Sequence, residues 1–130
     1  MIKRIVIPAE DEGGLNSRLS EHFGRAPYFV VVDLDENNNI LSVQVVPTAG
    51  EHFSGMSRPA DNILKFRPNA IITHGMGPRT LSVFQNAGIA VLRANANIVR
   101  EVIEAYRQDT PEELTEGCYS ARYTPQNKRV

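Results

Sequence analysis

Residues 70–92 read AIITHGMGPRTLSVFQNAGIAVL, and the order of patterns within them decides the fold class. Residues 70–74 (AIITH) are a short apolar, β-branched run of the kind that forms a buried strand. Gly75-Met76-Gly77-Pro78 follows as a tight turn, and Pro78, with no N–H to lose, opens a helix. Leu81, Phe84 and Ala87 recur at helical spacing and give that helix one apolar stripe, which Gly88 ends. Residues 89–92 (IAVL) return to strand. Strand, helix and strand in this order make a βαβ unit, which demands parallel strands and a right-handed crossover.

The flanking segments extend that unit. Residues 27–35 (PYFVVVDLD) are almost continuously apolar, as in a strand covered on both faces. Glu36-Asn37-Asn38-Asn39 reads as a turn, because asparagine tolerates left-handed backbone. Residues 40–47 (ILSVQVVP) then form the return strand of a hairpin, with an exposed edge. Residues 2–8 (IKRIVIP) are a β-branched first strand ending at a proline. Ser57 and Pro59 are placed to start a helix with the stripe Ile63, Leu64 and Phe66, stopped by Pro68. Asn97 is placed to cap a helix bearing Ile98, Val99, Val102, Ile103 and Tyr106. Thr110-Pro111-Glu112-Glu113 has the form of a further capped helix start, and the chain from Gly117 is polar. The expected architecture is α/β: a mixed sheet with helices on its faces.

Composition narrows the function classes. The chain has 130 residues, enough for one domain, and 42% hydrophobic with 22% charged residues is a globular balance. Fourteen Lys and Arg against 15 Asp and Glu leave a formal charge of -1, which gives no footing for a dedicated nucleic-acid binder. One cysteine, Cys118, excludes an internal disulfide framework and an all-cysteine zinc site within one chain. No apolar run approaches the ~20 residues of a membrane span, and the stretch IVIPA is short for a signal peptide. The expectation is a cytoplasmic protein with no membrane partner.

Ligands of such sheets gather beyond the carboxyl ends of the parallel strands. Four segments end there on this reading: 11–25, 50–55, 74–79 and 93–97. Three of them carry the chain's three histidines, His22, His52 and His74. Imidazoles on one rim form a candidate metal or anion site, although each has the simpler reading of a solvated or structurally hydrogen-bonded side chain. No H-x-x-x-H or C-x-x-C pair signals zinc. The turn Gly75-Met76-Gly77-Pro78-Arg79 offers backbone amides at a helix start and one guanidinium, which together suit an anion. It is neither a dinucleotide-binding fingerprint nor a P-loop. Cys118 is a fourth candidate metal ligand, and Met56 and Met76 could give weak thioether contacts or fill apolar gaps. Among acids, Asp33 and Asp35 flank the hairpin turn and read as solvated turn residues. The first strand carries no acid to hold catalytic metals, and Ser20 and Ser57 lack a triad setting, so hydrolysis is disfavoured.

Residues 20–29 (SEHFGRAPYF) resemble the S-x-HFG-x-A-x-x-F signature of the dinitrogenase iron-molybdenum cofactor biosynthesis family, the nitrogenase accessory factor-like domains. Gly75-Met76-Gly77-Pro78-Arg79 is similar to that family's second signature, and the resemblance runs to about Cys118. It implies a three-layer α/β/α, ribonuclease H-like fold with a five-stranded mixed sheet whose second strand is antiparallel to the rest. It implies one domain over residues 1–118 with a polar tail at 119–130. It also implies a non-enzymatic carrier of iron-molybdenum cofactor or an iron–sulfur precursor, with cluster donor and acceptor proteins as partners. The cofactor-binding residues would be His22, Phe23, Gly24, Arg25, Gly75, Gly77, Pro78 and Arg79, with His22 the principal ligand and His52, His74 and Cys118 as further metal candidates. The alternative is a small-anion or metabolite-binding regulatory module built on the Gly75–Arg79 helix start. The oligomeric state is left open.

Overall fold

A computed structural model gives the fold, and residues 2–48 and 59–108 are described. His52, Met56, Ser57, Cys118, the helix start at Thr110 and the tail at 119–130 lie outside the described residues.

Five strands form one sheet in the order β3-β2-β1-β4-β5. They are β1 (Lys3–Ala9), β2 (Tyr28–Leu34), β3 (Ile40–Pro47), β4 (Ala70–Thr73) and β5 (Ala90–Arg93). β2 runs antiparallel to β1 and β3, while β1, β4 and β5 are mutually parallel, so the second strand alone opposes the others. The apolar run of β2 is buried on both faces, as its lack of alternation requires: Phe29, Val30, Val31, Val32 and Leu34 have essentially no exposure.

Alternate residues of each strand feed two cores. Val6, Phe29, Val31, Ile71 and Val91 face α1 (Pro59–Leu64) and α2 (Pro78–Asn86), through Ala60, Ile63, Leu81 and Phe84. Ile5, Ile7, Val30, Val32, Ile72 and Leu92 face α3 (Val99–Gln108), through Val99, Val102 and Ile103. The sheet is thus the middle of three layers, as expected.

Three local expectations are corrected. α1 ends at Leu64, short of Phe66. Pro68 disfavours helical backbone at the residue before it, and Arg67 turns to a φ of 54°. The chain closes through i→i−3 bonds from Phe66 N to Ile63 O (3.0 Å) and Arg67 N to Leu64 O (3.0 Å), and Phe66 still packs on the core. α3 starts one residue later than an Asn97 cap implies, because its first i→i−4 bond runs from Val102 N to Ile98 O (3.2 Å). Asp33 is no solvated turn residue: it lies in β2 and accepts from Arg4 Nε at 2.8 Å and Nη2 at 3.0 Å. Asp35 does hold the turn, accepting from the amides of Asn37 (2.8 Å) and Asn39 (2.9 Å), with Asn38 left-handed at φ 67°.

Candidate functional site at the carboxyl rim

Strand order reverses between β1 and β4. The chain leaves β1 toward β2 and β3, then crosses to β4 and continues to β5. In open α/β sheets that reversal opens a crevice beyond the strand ends, the habitual ligand position. β1 pairs with β4 only at Ile5 and Val6, so the last residues of β1 are left with a free flank.

The segment after β1 fills that flank. The Asp11 carboxylate accepts from the Gly13 amide at 3.0 Å and from the Arg18 amide at 3.4 Å, which turns the chain back on itself. The Gly13 bond first, then the Ser17 hydroxyl and the Arg18 amide, hold the Asp11 carboxyl below its ordinary pKa. Residues 17–20 then run extended. Leu19 bridges Ala9 of β1, Ser20 N donates to Pro8 O at 3.0 Å, and Arg18 bridges Ile98 on the other side. Leu19 N donates to Asn97 O (2.8 Å) and Val99 N to Ser17 O (2.9 Å), so the start of α3 is tied to the same segment.

The first signature leaves this short strand through a serine turn. Ser20 Oγ donates to His22 O at 3.1 Å and accepts from His22 N at 3.4 Å. A 3₁₀ turn, Phe23–Arg25, follows. Its Phe23 is buried and packs against Phe29 of β2 (ring centroids 5.0 Å apart) and edge-on against Phe84 of α2 (5.4 Å). With its ring so anchored, Phe23 presents its amide to Gly75 O at 3.2 Å. That one bond joins the two signature loops, and it places His22 and His74 each one residue from the junction.

The second signature is equally constrained. Thr73 is fully buried, and its hydroxyl donates to Gly75 O (3.1 Å) and accepts from Gly75 N (3.3 Å), tying together the two residues that flank His74. Met76 is 2% exposed within the core that holds Phe23 and Phe84, so it fills an apolar gap instead of offering its sulfur to the rim. Gly77 takes the N-cap position of α2 with Pro78 next, and no side chain caps the helix start. The amides beyond Pro78 therefore keep the positive end of the helix open.

Of the residues expected at the site, His22, Gly24, Arg25, Pro78 and Arg79 are exposed, while Phe23 and Gly75 are buried and Gly77 is half-buried. Among the described residues, the side chains of His22, Arg25 and Arg79 have no hydrogen-bond or ion-pair partner. His74 is half-buried, and its Nε2 lies 2.9 Å from Asn97 Oδ1. Histidine, cysteine, aspartate and glutamate side chains do not gather in a group of three or more among the described residues, so His22 and His74 share a rim without forming a ready chelate there. Two residues have roles that their sequence setting only partly signals. Ser20 lacks a triad, but its position two before His22 is the mark of a serine turn. Asn97 stands where a helix cap is expected, and its side chain reaches His74.

At this junction stands a chain that is 33% identical over 108 residues to the uncharacterized protein MJ0580 of Methanocaldococcus jannaschii, covering 81% of this chain and 86% of that one. A Thermotoga protein given the provisional name NifB has the same fold, with a TM-score of 0.71 and 26% identity, over 93% of this chain and 99% of that one. The apo form of the orange protein from Desulfovibrio gigas also shares the fold, with a TM-score of 0.70 and 24% identity, over 89% of this chain and 96% of that one. Residues 3–109 match the family described as dinitrogenase iron-molybdenum cofactor, a span that runs from β1 through α3 and holds both signature loops, and the chain belongs to that family.

Proposed function

We propose that this chain is a carrier and not a catalyst: it binds an iron-molybdenum or iron–sulfur cluster at the carboxyl rim and hands it on. The observation that carries the reading is the Phe23 N to Gly75 O bond, which joins the two family signatures into one surface. A carrier needs few ligands, since affinity must stay low enough for release. His22 supplies one borderline imidazole on an exposed loop. The open start of α2 and the guanidinium groups of Arg25 and Arg79 stabilise the negative charge of such a cargo. Phe23, Gly24, Gly75, Gly77 and Pro78 shape the surface through backbone and packing. His52 and Cys118 are further ligand candidates on chemistry alone. Cluster donor and acceptor proteins are the corresponding partners. No helix of the described residues is long and apolar enough to cross a membrane.

Anaerobic reconstitution with ferrous iron and sulfide tests the reading. The wild-type chain retains cluster absorbance after desalting, and His22→Ala loses most of it. Equal retention by both forms removes His22 from the site, and no retention by either removes the carrier. The uncapped start of α2 also favours a second reading, a small-anion module. In that case phosphate or a nucleotide raises the Tm of the wild type and not of Arg79→Ala, with no dependence on His22.

A further inference from the structure

We infer that Asn97 is a positioning residue for His74, holding its imidazole with the proton on Nε2 and leaving Nδ1 as the nitrogen offered to the metal cargo. The inference rests on the carrier reading and adds a ligand atom to it. The carbonyl oxygen of an asparagine side chain can only accept, so the 2.9 Å approach of Asn97 Oδ1 to His74 Nε2 favours the tautomer in which the ring donates from Nε2. A neutral imidazole has one N–H. With it on Nε2, Nδ1 carries the free lone pair, and Nδ1 has no partner among the described residues. An outer hydrogen bond from one ring nitrogen that fixes the tautomer of the other is how histidine ligands of metals are commonly prepared.

Both ends of the contact are held. The Thr73 hydroxyl bonds both backbone groups of Gly75, which ties together the two residues flanking His74. The Asn97 main-chain oxygen accepts from Leu19 N at 2.8 Å, and the next residue, Ile98, bridges Arg18. Leu19 belongs to the crevice-filling segment that leads within three residues to His22. The loop carrying His22 and the side chain aiming His74 are therefore built on one frame. A solvated loop histidine would show neither the buried threonine tie nor the fixed acceptor.

Long-range proton–nitrogen NMR of the histidine rings in the apo chain reads the tautomer directly. Wild type shows His74 protonated at Nε2 with a bare Nδ1. Asn97→Leu, which removes the acceptor, mixes the tautomers, and Asn97→Asp, which keeps it, restores the wild-type pattern. On anaerobic titration with ferrous iron, Asn97→Leu binds about tenfold or more weakly and Asn97→Asp stays near wild type. Should His74 carry its proton on Nδ1 in the wild type, the inference is overturned. It is equally overturned if Asn97→Leu keeps both tautomer and affinity, and when that happens while His22→Ala still loses the cluster, the carrier survives without this ligand. A wild type that holds no iron and no cluster, whatever its tautomer, overturns the carrier and the role of Nδ1 together.

Discussion

Asp33 shows how one side chain changes meaning between sequence and structure. Beside a turn it has the look of a solvated acid, but in β2 its carboxylate takes two hydrogen bonds from Arg4 across the strand pair. The Arg4 bond is the main reason its carboxyl is held below the ordinary carboxylate range. A folded pKa below the unfolded one stabilises the native state above the unfolded value of ~3.9, and that stabilisation is lost as pH falls through the folded value. Asp33→Asn is therefore expected to cost about 1 kcal/mol at neutral pH, roughly 4 °C in Tm. Thermal melts across pH check this: the gap between wild type and variant narrows as pH drops from 5 toward 2. A gap constant over that range removes the ion pair as its cause. No spacing rule could have found the pair, since Arg4 and Asp33 meet only through strand register. His22 differs, because its loop placement and the flanking S-x-HFG pattern are local features of the sequence.

At the scale of elements, α2 is the best-specified piece of the chain, and its end explains why. Gly88 has a φ of 79° and sits just past the C-cap Ala87. Ile89 N reaches back to Phe84 O at 3.0 Å and Gly88 N to Gln85 O at 3.1 Å, while Ile89 and Phe84 share one core. This pair of bonds, with its apolar contact, is the Schellman close that glycine permits. A Cβ at Gly88 would meet no atom within 4 Å, so the cost of Gly88→Ala is backbone strain alone, about 1 kcal/mol. Gly88→Asn should cost less, because asparagine enters the left-handed region more readily. Chemical denaturation ranks the two, and an alanine variant as stable as wild type contradicts the account. Pro78, the Leu81 and Phe84 stripe and Gly88 all point to the same helix, so it was legible from local pattern. α1 was less so, since its end depends on Arg67 yielding to Pro68, and the start of α3 depends on a bridge to Arg18 that no local pattern encodes.

Across the whole molecule, the carboxyl rim and the end held by long-range side-chain bonds are opposite ends of the sheet. One end is tied by side chains: Arg4 to Asp33 and to Phe66 O (2.9 Å), the Asn69 side chain to Arg4 N (2.7 Å), and Arg107 to Asn38 O (2.7 Å). The other end, where β1, β4 and β5 deliver their carboxyl termini, is joined by backbone bonds between loops and by mostly short-range side-chain bonds such as those of Asp11, Ser20 and Thr73, with Phe23 and Met76 as apolar anchors beneath. Topology made the convergence of these loops legible, because strand order alone brings the segments after parallel strands together. It could not show which histidine meets which partner, since that is settled by a serine turn and an asparagine reach. The division has a measurable consequence in hydrogen exchange, where protection follows the free energy of local opening. In the apo chain, amides of β1, β2 and β4 in the sheet interior should exchange slowest, and the rim amides of Leu19, Phe23 and Ala94 should exchange faster despite their hydrogen bonds. Cluster loading should slow exchange at Phe23 and at the start of α2, and leave Asn69 and Asn39 at the far end unchanged. Slowing spread evenly over both ends would mean that cargo stabilises the fold globally, and the rim would lose its standing as the place of contact.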